Sequence, residues 1–460
     1  MKQPKLRHLP LAAAALVACS GAMAGYTSPD GSFSLSGFGT VGLSGTSNDE
    51  VLFVYPGQGG GSNQSPSLNP DTKAALQGTY KFAPTVSATG QVMAKYNAYG
   101  QYTPNVEWAF GKWQVLPSLS VRAGRMGAPL FMVSDFRDVG YANTAVRPNL
   151  DVYGQVPFSS FEGADTAYQT NFGSVTLTST LWTGTMKSKY ASALRSGGAA
   201  AEPAELVLKK TVGLNLVAET DGGLTFRAGH TQGKLTVNSA SGTQITGLAN
   251  AVIGAGTGLS SPFPTTLSST HAALIADAVT TSNTDASFSG IGLAYDQDDI
   301  VLGAEFTKRK VKKGYIPDTK GWYALAGYRF GAWLPYVSIS RLSVEDPNVS
   351  VPSVLSLYGA AAQNPSNPAL VRQAAGGVFY GLPGLLNTQK VTENTKSIGV
   401  RWDASAGVAL KAQFDHVSVP AGSNGLFLMA DPVAAAQGGS TFLNKRKDIN
   451  VLSVSVDFVF

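Results

Sequence analysis

The sequence is poor in the residues that most catalytic and metal sites use. It has one cysteine and four histidines in 460 residues, and 14% of its residues are charged, against about 25% in an average soluble domain. Beyond the N-terminal stretch it has no run of the ~18 apolar residues that a transmembrane helix needs. These absences exclude a disulfide-stabilised domain, a thiolate metal cluster and a helical membrane protein.

What the chain contains instead favours β-structure. Glycine is abundant, with 52 residues, and aromatic residues make up 10% of the chain. Aromatic and β-branched residues pack well on pleated surfaces, and glycine suits tight turns. The Lys and Glu residues typical of exposed helices are few. The composition therefore predicts an all-β protein.

The first 24 residues have the features of an export signal. Basic residues precede an apolar segment from Leu9 to Ala18, and Ala22-Met23-Ala24 offers small side chains at a cleavage site. We therefore predict that residues 1–24 are a cleaved signal peptide. A rival interpretation is that residues 16–19 form a lipobox, in which case Cys19 carries lipid.

Loss of this signal changes the charge balance and removes the cysteine. Three of the 34 basic residues lie in the signal, so 31 remain against 29 acidic residues. A net charge so close to zero gives no reason to expect nucleic-acid binding, although the pI of the full chain is near 9.0. The exported chain also lacks a thiol nucleophile.

Apolar and polar residues alternate in many segments of the mature chain. The clearest is the C-terminus, whose apolar set is Leu452, Val454, Val456, Phe458 and Phe460. Segments of this type, bounded by turn residues, predict sixteen strands, each about as long as the ~9 to 11 residues of a tilted spanning strand. The predicted strands are 33–43, 73–83, 85–97, 105–113, 117–126, 162–172, 174–183, 208–219, 223–235, 286–296, 299–311, 319–330, 333–344, 393–403, 407–419 and 447–460.

Short and long connections alternate strictly between these strands. The long ones are 44–72, 98–104, 127–161, 184–207, 236–285, 312–318, 345–392 and 420–446. This alternation places every long loop on one side of the sheet, as in outer-membrane barrels with short periplasmic turns and long extracellular loops. The pattern therefore predicts a transmembrane antiparallel β-barrel of 16 strands.

The two faces of the predicted strands differ in polarity. We expect the apolar face to meet lipid; it contains Leu35, Val41, Leu43, Leu76, Tyr80, Phe82, Trp108, Phe110, Val212, Leu214, Leu216, Leu302, Ala304, Phe306, Val408, Leu410, Ala412 and Phe414. The aromatic residues expected at the membrane interfaces are Tyr96, Trp182, Trp322, Phe330 and Trp402. Charged residues gather on the other face. Because so many charges are too costly in a dry core, they predict a lumen that holds water.

In these features the chain resembles the trimeric porins of Gram-negative outer membranes, including a less characterised porin-like group. The resemblance implies a passive diffusion channel for small hydrophilic solutes and ions, located in the bacterial outer membrane and without a cofactor. It also implies a homotrimer in contact with outer-membrane lipid and lipopolysaccharide. By the same resemblance, Phe458 and Phe460 form the signal that barrel-assembly machinery recognises.

In that family the third long loop folds into the barrel and narrows it. Here this loop, residues 127–161, mixes charges of both signs with aromatic residues, whereas the long segments 44–72, 236–285 and 345–392 are rich in small and polar residues, as expected for surface loops. It lacks the Pro-Glu-Phe-Gly-Gly turn of enterobacterial general porins. We expect about half of its charges to form internal salt bridges.

Two sets of charged residues are therefore candidates for the pore. The expected constriction consists of Asp135, Arg137, Asp138, Arg147, Asp151, Arg122, Arg125 and Lys95. The expected lumen wall consists of Lys81, Arg227, Glu305, Arg309, Arg329, Arg401 and Lys411. Opposed carboxylates and guanidinium groups across a narrow passage select solutes by charge and size.

Other motifs carry less weight. The glycine pattern from Gly37 to Gly42 matches a dinucleotide fingerprint, but it lies inside a predicted strand with no helix after it. The mature histidines, His230, His271 and His416, lack spacing that suggests a metal site. Two alternatives stay open: a barrel enzyme of protease or lipase type, with a His and an Asp or Ser converging at one rim, and a non-conducting structural or adhesive barrel with a filled lumen.

Overall fold

The computed structural model describes residues 25–191, 202–256, 267–430 and 442–460. The predicted signal peptide and Cys19 lie outside the described residues. Sixteen long strands form one sheet: β1 Phe33–Thr46, β2 Lys73–Ala83, β3 Val86–Lys95, β4 Asn105–Leu116, β5 Leu119–Gly127, β6 Ser160–Phe172, β7 Val175–Tyr190, β8 Ala204–Thr220, β9 Leu224–Asn238, β10 Thr281–Gln297, β11 Ile300–Val311, β12 Asp318–Tyr328, β13 Trp333–Asp346, β14 Glu393–Ser405, β15 Val408–Val419 and β16 Lys447–Val459.

Each strand pairs antiparallel with the next one in the chain, and β16 pairs with β1, so the sheet closes into a barrel. The closing register runs from Val451 opposite Thr46 to Val459 opposite Phe38. The predicted sixteen-stranded antiparallel barrel is confirmed. Eight connections link the strands on the long-loop side: L1 47–72, L2 96–104, L3 128–159, L4 191–203, L5 239–280, L6 312–317, L7 347–392 and L8 420–446.

Several strands extend further toward the long loops than the alternation predicted. β7 continues to Tyr190 rather than ending at 183, and β10 begins at Thr281 rather than at 286. The added residues are largely polar, such as Lys187 and Lys189. Backbone pairing needs no apolar side chain, so these strands continue past the end of the apolar band.

The predicted lipid-facing set is wrong at two positions on β4. Gln91 of β3 pairs with Trp108, but Val92 pairs with Val106, so Glu107 is an extra residue in β4. A bulge of this kind reverses which residues face inward. Phe110 consequently packs against the interior cluster, and Trp108 lies beside the L3 residue Asp135.

The prediction that Trp182 lies at a membrane interface is also wrong, because its side chain faces the interior. It is 1% exposed, and its ring lies 4.7 Å from that of Phe161 on β6. Gly213 of β8 leaves the space that the indole occupies, since a Cβ at that position would collide with the ring. The outward neighbour of this tryptophan is Leu181, which is 52% exposed.

The long loops contain helices that the sequence analysis did not predict. A single turn, α1 Leu150–Tyr153, lies in L3. L5 contains α2 Ala240–Gly256 and α3 Ser269–Ala278, and L7 contains α4 Leu355–Gln363 and α5 Ala369–Asn387. Among the described residues, no helix is long and apolar enough to cross a membrane.

Helices α2 to α5 pack together and share an apolar cluster with L3 and the barrel interior. In α5 the buried positions include Val371, Ala375, Val378 and Leu382, which recur every three or four residues along one helical face. L5 and L7 are therefore not the surface loops that their composition suggested. We call this group of four helices the cap.

L1 is also more than a surface loop. Its residues Val51–Leu52 pair with Leu428–Met429 of L8 as a two-stranded ribbon. Val51 and Phe53 join a second apolar cluster, which includes Ile449 of β16. L1 and L8 are thereby tied to each other and to the inner wall.

Candidate functional site

L3 folds into the barrel and contacts the inward face of the wall at several places. Its first anchor is formed by residues 129–132. Arg227 of β9 donates to the carbonyl of Pro129 at 2.6 Å, and the backbone N–H of Met132 donates to Glu305 of β11 at 2.9 Å. Between them the ring of Phe131 stacks on that of Tyr153 at 4.5 Å.

The next anchor is an ionic cluster around Asp138. Its carboxylate lies 3.5 Å from Lys73 of β2, 3.2 Å from Lys95 of β3 and 3.7 Å from Arg137. Burial opposes the charge of Asp138, but the nearby cations outweigh it and hold the pKa of this carboxyl well below its usual range. The cluster therefore keeps a fixed negative charge among three cations.

A short helical turn at 140–142 forms the third anchor, against β14, β15 and β16. Lys411 donates to the carbonyls of Gly140 and Asn143, each at 2.6 Å, and lies 3.1 Å from Asp457. A side chain at Gly140 would collide with the Asp457 carboxylate, so this close approach requires glycine. Arg401 donates to the carbonyl of Tyr141 at 2.7 Å.

Arg147 forms a fully enclosed junction between L3, L1 and two strands. Its guanidinium makes two hydrogen bonds to Asp71 of L1, at 2.7 and 2.6 Å, and one to Ser453 of β16 at 2.7 Å. It also lies 3.5 Å from Asp415 of β15. Burial disfavours its charge, but Asp71 more than compensates, so the pKa of Arg147 is raised.

The last anchor is formed by α1 and the residues after it. Gln155 donates to Thr307 of β11 at 2.7 Å and accepts a hydrogen bond from Thr319 of β12 at 3.0 Å. Arg309 donates to the carbonyl of Gln155. L3 therefore crosses the lumen and returns, and it is fixed at both ends and at several points between.

The wall charges thus have a different role from the one expected. Their positions on the polar face of the strands predicted charges that line a water-filled lumen. Instead Arg227, Arg309, Arg401 and Lys411 donate to backbone carbonyls of L3. A buried cation needs several acceptors to offset its lost hydration, and the carbonyls of an irregular segment supply them.

Two other members of the predicted wall lie away from L3. Lys81 is exposed near the turn between β2 and β3. Arg329, just after β12, lies 2.6 Å from Asp296 near the turn end of the barrel. These two residues remain candidates for the entrance on the short-turn side.

Arg125 was assigned to the constriction, and this assignment is wrong. Arg122 and Met126 of β5 face inward, so strand alternation turns Arg125 outward. It pairs across the strands with Glu162 of β6 at 3.4 Å, and both side chains are partly exposed. Arg125 lies inside the predicted strand 117–126, so the error was in its face and not in the strand boundary.

Arg122 itself faces the lumen, but its main partner is Asp165 of β6. The guanidinium makes a two-pronged ion pair with this carboxylate, with contacts of 3.0 and 2.5 Å. Asp135 of L3 is exposed to the lumen and close enough to influence Arg122. Asp135 makes no ion pair among the residues that the structure describes.

Sequence reasoning missed several residues that hold L3. They are Asp71, Lys73, Glu393 and Gln155. Asp71 and Lys73 flank the end of L1, which looked like a surface loop, and Glu393 begins a strand. For Asp71, Lys73 and Glu393 the signal was a charged residue next to a strand end on the long-loop side, which alone cannot indicate an inward direction.

A cavity of about 310 Å³ remains between L3, L1 and the wall. Its apolar side includes Met132, Tyr153 and Tyr323, and its polar side includes Asp151 and Glu393. Asp151 is 1% exposed, and burial raises the pKa of its carboxyl.

The geometry at the rim also bears on the enzyme alternative. His416 and Asp448 approach to 3.9 Å, and Ser418 donates to Asp448 at 2.6 Å. The hydroxyl thus bonds the carboxylate and not the imidazole, and the group lies on the outer wall. A nucleophile needs its base within hydrogen-bond reach, so this arrangement does not provide one.

No protein-family model matches the sequence, and no curated protein matches it. Solved outer-membrane proteins are similar in structure. Salmonella typhi OmpF in complex with daunomycin is 11% identical, with a TM-score of 0.49 over 95% of this chain and 100% of that chain. OmpT of Vibrio cholerae is 10% identical, with a TM-score of 0.48 over 95% of this chain and 100% of that one.

The anion-selective porin of Comamonas acidovorans is 11% identical, with a TM-score of 0.47 over 93% of this chain and 99% of that one. At such TM-scores the fold assignment stands on the closed strand pairing of the chain itself. In architecture, the chain is similar to outer-membrane porins over 93% to 95% of its length.

Proposed function

We propose that the protein is a passive outer-membrane channel through which small hydrophilic solutes and ions diffuse. The observation that carries this proposal is a closed barrel with an apolar outer face and a polar inner face. Outward residues such as Leu76, Leu214 and Phe414 are exposed, whereas inward Ser453 and Asp457 are enclosed. An apolar outside fits lipid, and a polar inside fits an aqueous path.

The charges and the cavity beside L3 favour a selective passage over a wide one. The Asp138 cluster places fixed charges on one side of the lumen, and the 310 Å³ cavity lies along another part of L3. Charges held in place by their neighbours keep their positions as solutes pass. Such a path discriminates among solutes by charge and size.

The test is conductance of the purified, folded protein in a planar bilayer with a salt gradient. We expect ohmic current steps, and the reversal potential reports the ion preference. A folded barrel that never conducts would contradict the proposal and favour the structural alternative, because L3 and the cap occupy much of the interior. Heat-denatured protein serves as the control for leakage.

Basic residues on the outer wall favour contact with an anionic lipid surface. Near the long-loop rim, strands β11 to β14 present outward basic residues, which are Lys308, Lys310, Lys320, Arg341 and Lys396. Glu345 is paired with Lys308 and Lys320. The excess of positive charge at this level fits the phosphates of lipopolysaccharide in the outer leaflet. Replacing Lys310, Arg341 and Lys396 by Gln should reduce the lipopolysaccharide that co-purifies with the barrel.

The homotrimer is likewise part of the proposal. The outer faces of β2 to β5 form a hollow lined by small residues, among them Gly78, Gly90 and Gly111. Small residues let neighbouring subunits approach closely in a membrane. A bulky residue at Gly90, where a side chain meets open space, should lower the trimer fraction on native gels while the barrel stays folded.

A further inference from the structure

The cavity beside L3 contains two acidic residues that form no ion pair with a cation among the described residues. Asp151 of α1 and Glu393 of β14 border it and are 1% and 4% exposed. Their side chains lie close enough to interact. Two buried carboxyls in contact are unfavourable unless a proton or a positively charged group lies between them.

Arg147, the arginine that borders the cavity, already has other partners. Arg147 directs its guanidinium at Asp71, Ser453 and Asp415. Asp415, the third carboxyl of this region, is therefore partly neutralised by Arg147, whereas Asp151 and Glu393 are not. The acidic pair is thus left to share a proton or to take up a positively charged group from the cavity.

The hydrogen bonding of Asp151 is also incomplete. Both of its carboxylate oxygens are enclosed and make no well-aligned hydrogen bond among the described residues, although the side chains of Glu393, Ser340 and Thr395 lie close to them. The hydroxyl of Ser340, on the neighbouring β13, is enclosed and unpartnered as well. Glu393 receives one hydrogen bond, from the backbone N–H of Leu426 at 2.9 Å. Enclosed acceptors without donors cost free energy that a bound donor would recover.

The remaining lining of the cavity is largely apolar. Met132 and Val133 of L3 and Tyr323 and Leu325 of β12 contribute to it. A volume of about 310 Å³ corresponds to roughly ten water molecules at ~30 Å³ each. The described residues contain no group of three His, Cys, Asp or Glu placed to hold a metal ion. An organic cation with an apolar body therefore fits better than a metal.

We propose that this cavity is a binding site for small solutes that carry an ammonium group and a short apolar or aromatic body, with Asp151 and Glu393 receiving the ammonium. The inference rests on the proposed channel function, since it names the solute class that the lumen retains. An ammonium between the two carboxyls supplies the positive charge that a shared proton otherwise provides, and the apolar wall receives the body.

The experiment measures ion current through single channels while phenethylammonium is added. Benzyl alcohol and benzoate serve as neutral and anionic probes of similar shape. We expect phenethylammonium to interrupt the current in a concentration-dependent way and the other two to do so at least tenfold less. Equal interruption by all three probes would overturn the proposal.

Two variants locate the site. Asp151→Asn and Glu393→Gln should each weaken the phenethylammonium effect at least fivefold. The matched control is Glu162→Gln, which neutralises a carboxylate on the outer wall and should respond like the unaltered protein. A heat-modifiable band on gels verifies that each variant is folded. Undiminished interruption in both variants would overturn the assignment and leave the pair as a proton-sharing anchor of L3.

A second readout separates this inference from the channel proposal. Binding of phenethylammonium to the detergent-solubilised barrel is measured by calorimetry, which needs no conduction. Binding that is lost in Asp151→Asn would support the site even if the barrel never conducts. Conduction without any binding would overturn the site and leave the channel proposal intact.

Discussion

At the scale of single residues, the interior of this barrel is organised by how each buried charge is compensated. Lys411 and Arg401 bond carbonyls of L3, Arg147 bonds two carboxylates, and Asp138 lies among three cations. Only some of these groups carry net charge that a passing ion can sense. The residues that decide selectivity are therefore those whose removal changes the net charge next to the passage.

Asp135 and Asp138 meet this condition. Neutralising both with Asn leaves Lys73, Lys95 and Arg137 unopposed, so selectivity should shift toward anions. One charge about 8 Å from an ion, at an effective dielectric constant near ~40, contributes about 1 kcal/mol, or roughly fivefold in permeability ratio. The reversal potential in a salt gradient measures the shift. An unchanged reversal potential would mean that ions pass elsewhere.

Asp138 also predicts how the ion selectivity depends on pH. Because nearby cations hold the pKa of Asp138 well below its usual range, its charge persists as the pH falls through ~4, where ordinary carboxyls are half protonated. The selectivity difference between the unaltered protein and Asp138→Asn should therefore survive at pH 4. Disappearance of the difference at that pH would contradict the geometry of the cluster.

The pKa of Asp151 is shifted in the opposite direction, and the shift predicts a pH-dependent stability. Burial raises its pKa, so the folded state holds this proton more tightly than the unfolded chain, and stability falls as the pH rises from ~4 through the folded pKa. Asn cannot ionise and removes this penalty. Asp151→Asn should therefore increase the free energy of unfolding by roughly 1 to 3 kcal/mol at pH 8 and change it little at pH 3. Urea titrations at both pH values measure the difference.

At the scale of elements, the strands were predictable and the loops were not. Period-two alternation located all sixteen strands, because one face of each is apolar over most of its predicted length. The same rule failed at Trp108 and Phe110, where one extra residue in β4 reverses the faces. A bulge leaves no mark in the composition of a strand.

The cap escaped prediction for a related reason. α2 consists mainly of small residues, which loops also favour, and has no charged residue in its described range. In α5, seven of the 19 residues are Ala or Gly. In α5 the helical signal was the spacing of Val371, Ala375, Val378 and Leu382. The direction of the wall charges could not be predicted either, because a lysine that faces water and a lysine that binds a loop carbonyl occupy the same strand positions.

Two loop deletions test these roles. Shortening L3 between residues 130 and 157 should raise single-channel conductance, because L3 crosses the lumen. If the segment 236–285 were a surface loop, as its composition suggested, trimming it would have little effect on conductance. With α2 and α3 packed in the cap, we now expect replacement of 240–278 by a short turn to raise conductance as well, by a smaller factor. A control insertion in L6, which is short, should have no effect. No change from either deletion would place the path outside both elements.

At the scale of the whole molecule, the barrel depends on closure between the last strand and the first. Beyond the end of β16, Phe460 exchanges two backbone hydrogen bonds with Gly37 of β1, at 2.8 and 2.9 Å. The ring of Phe460 lies over Gly37, where a side chain would collide with it. The terminal residue thus completes the ladder through its backbone and covers β1 with its side chain.

Deleting Phe460 should lower the yield of folded barrel in the outer membrane, for one of two separable reasons. The deletion removes both the hydrogen bonds and the ring, whereas Phe460→Ala removes only the ring. If the ring is the assembly signal, Phe460→Ala should reduce yield as strongly as the deletion while the purified protein still refolds in detergent. If closure is what matters, Phe460→Ala should assemble almost normally, and only the deletion should refold poorly. Heat-modifiable mobility measures the folded fraction in both settings, and undiminished yield from the deletion would contradict both roles.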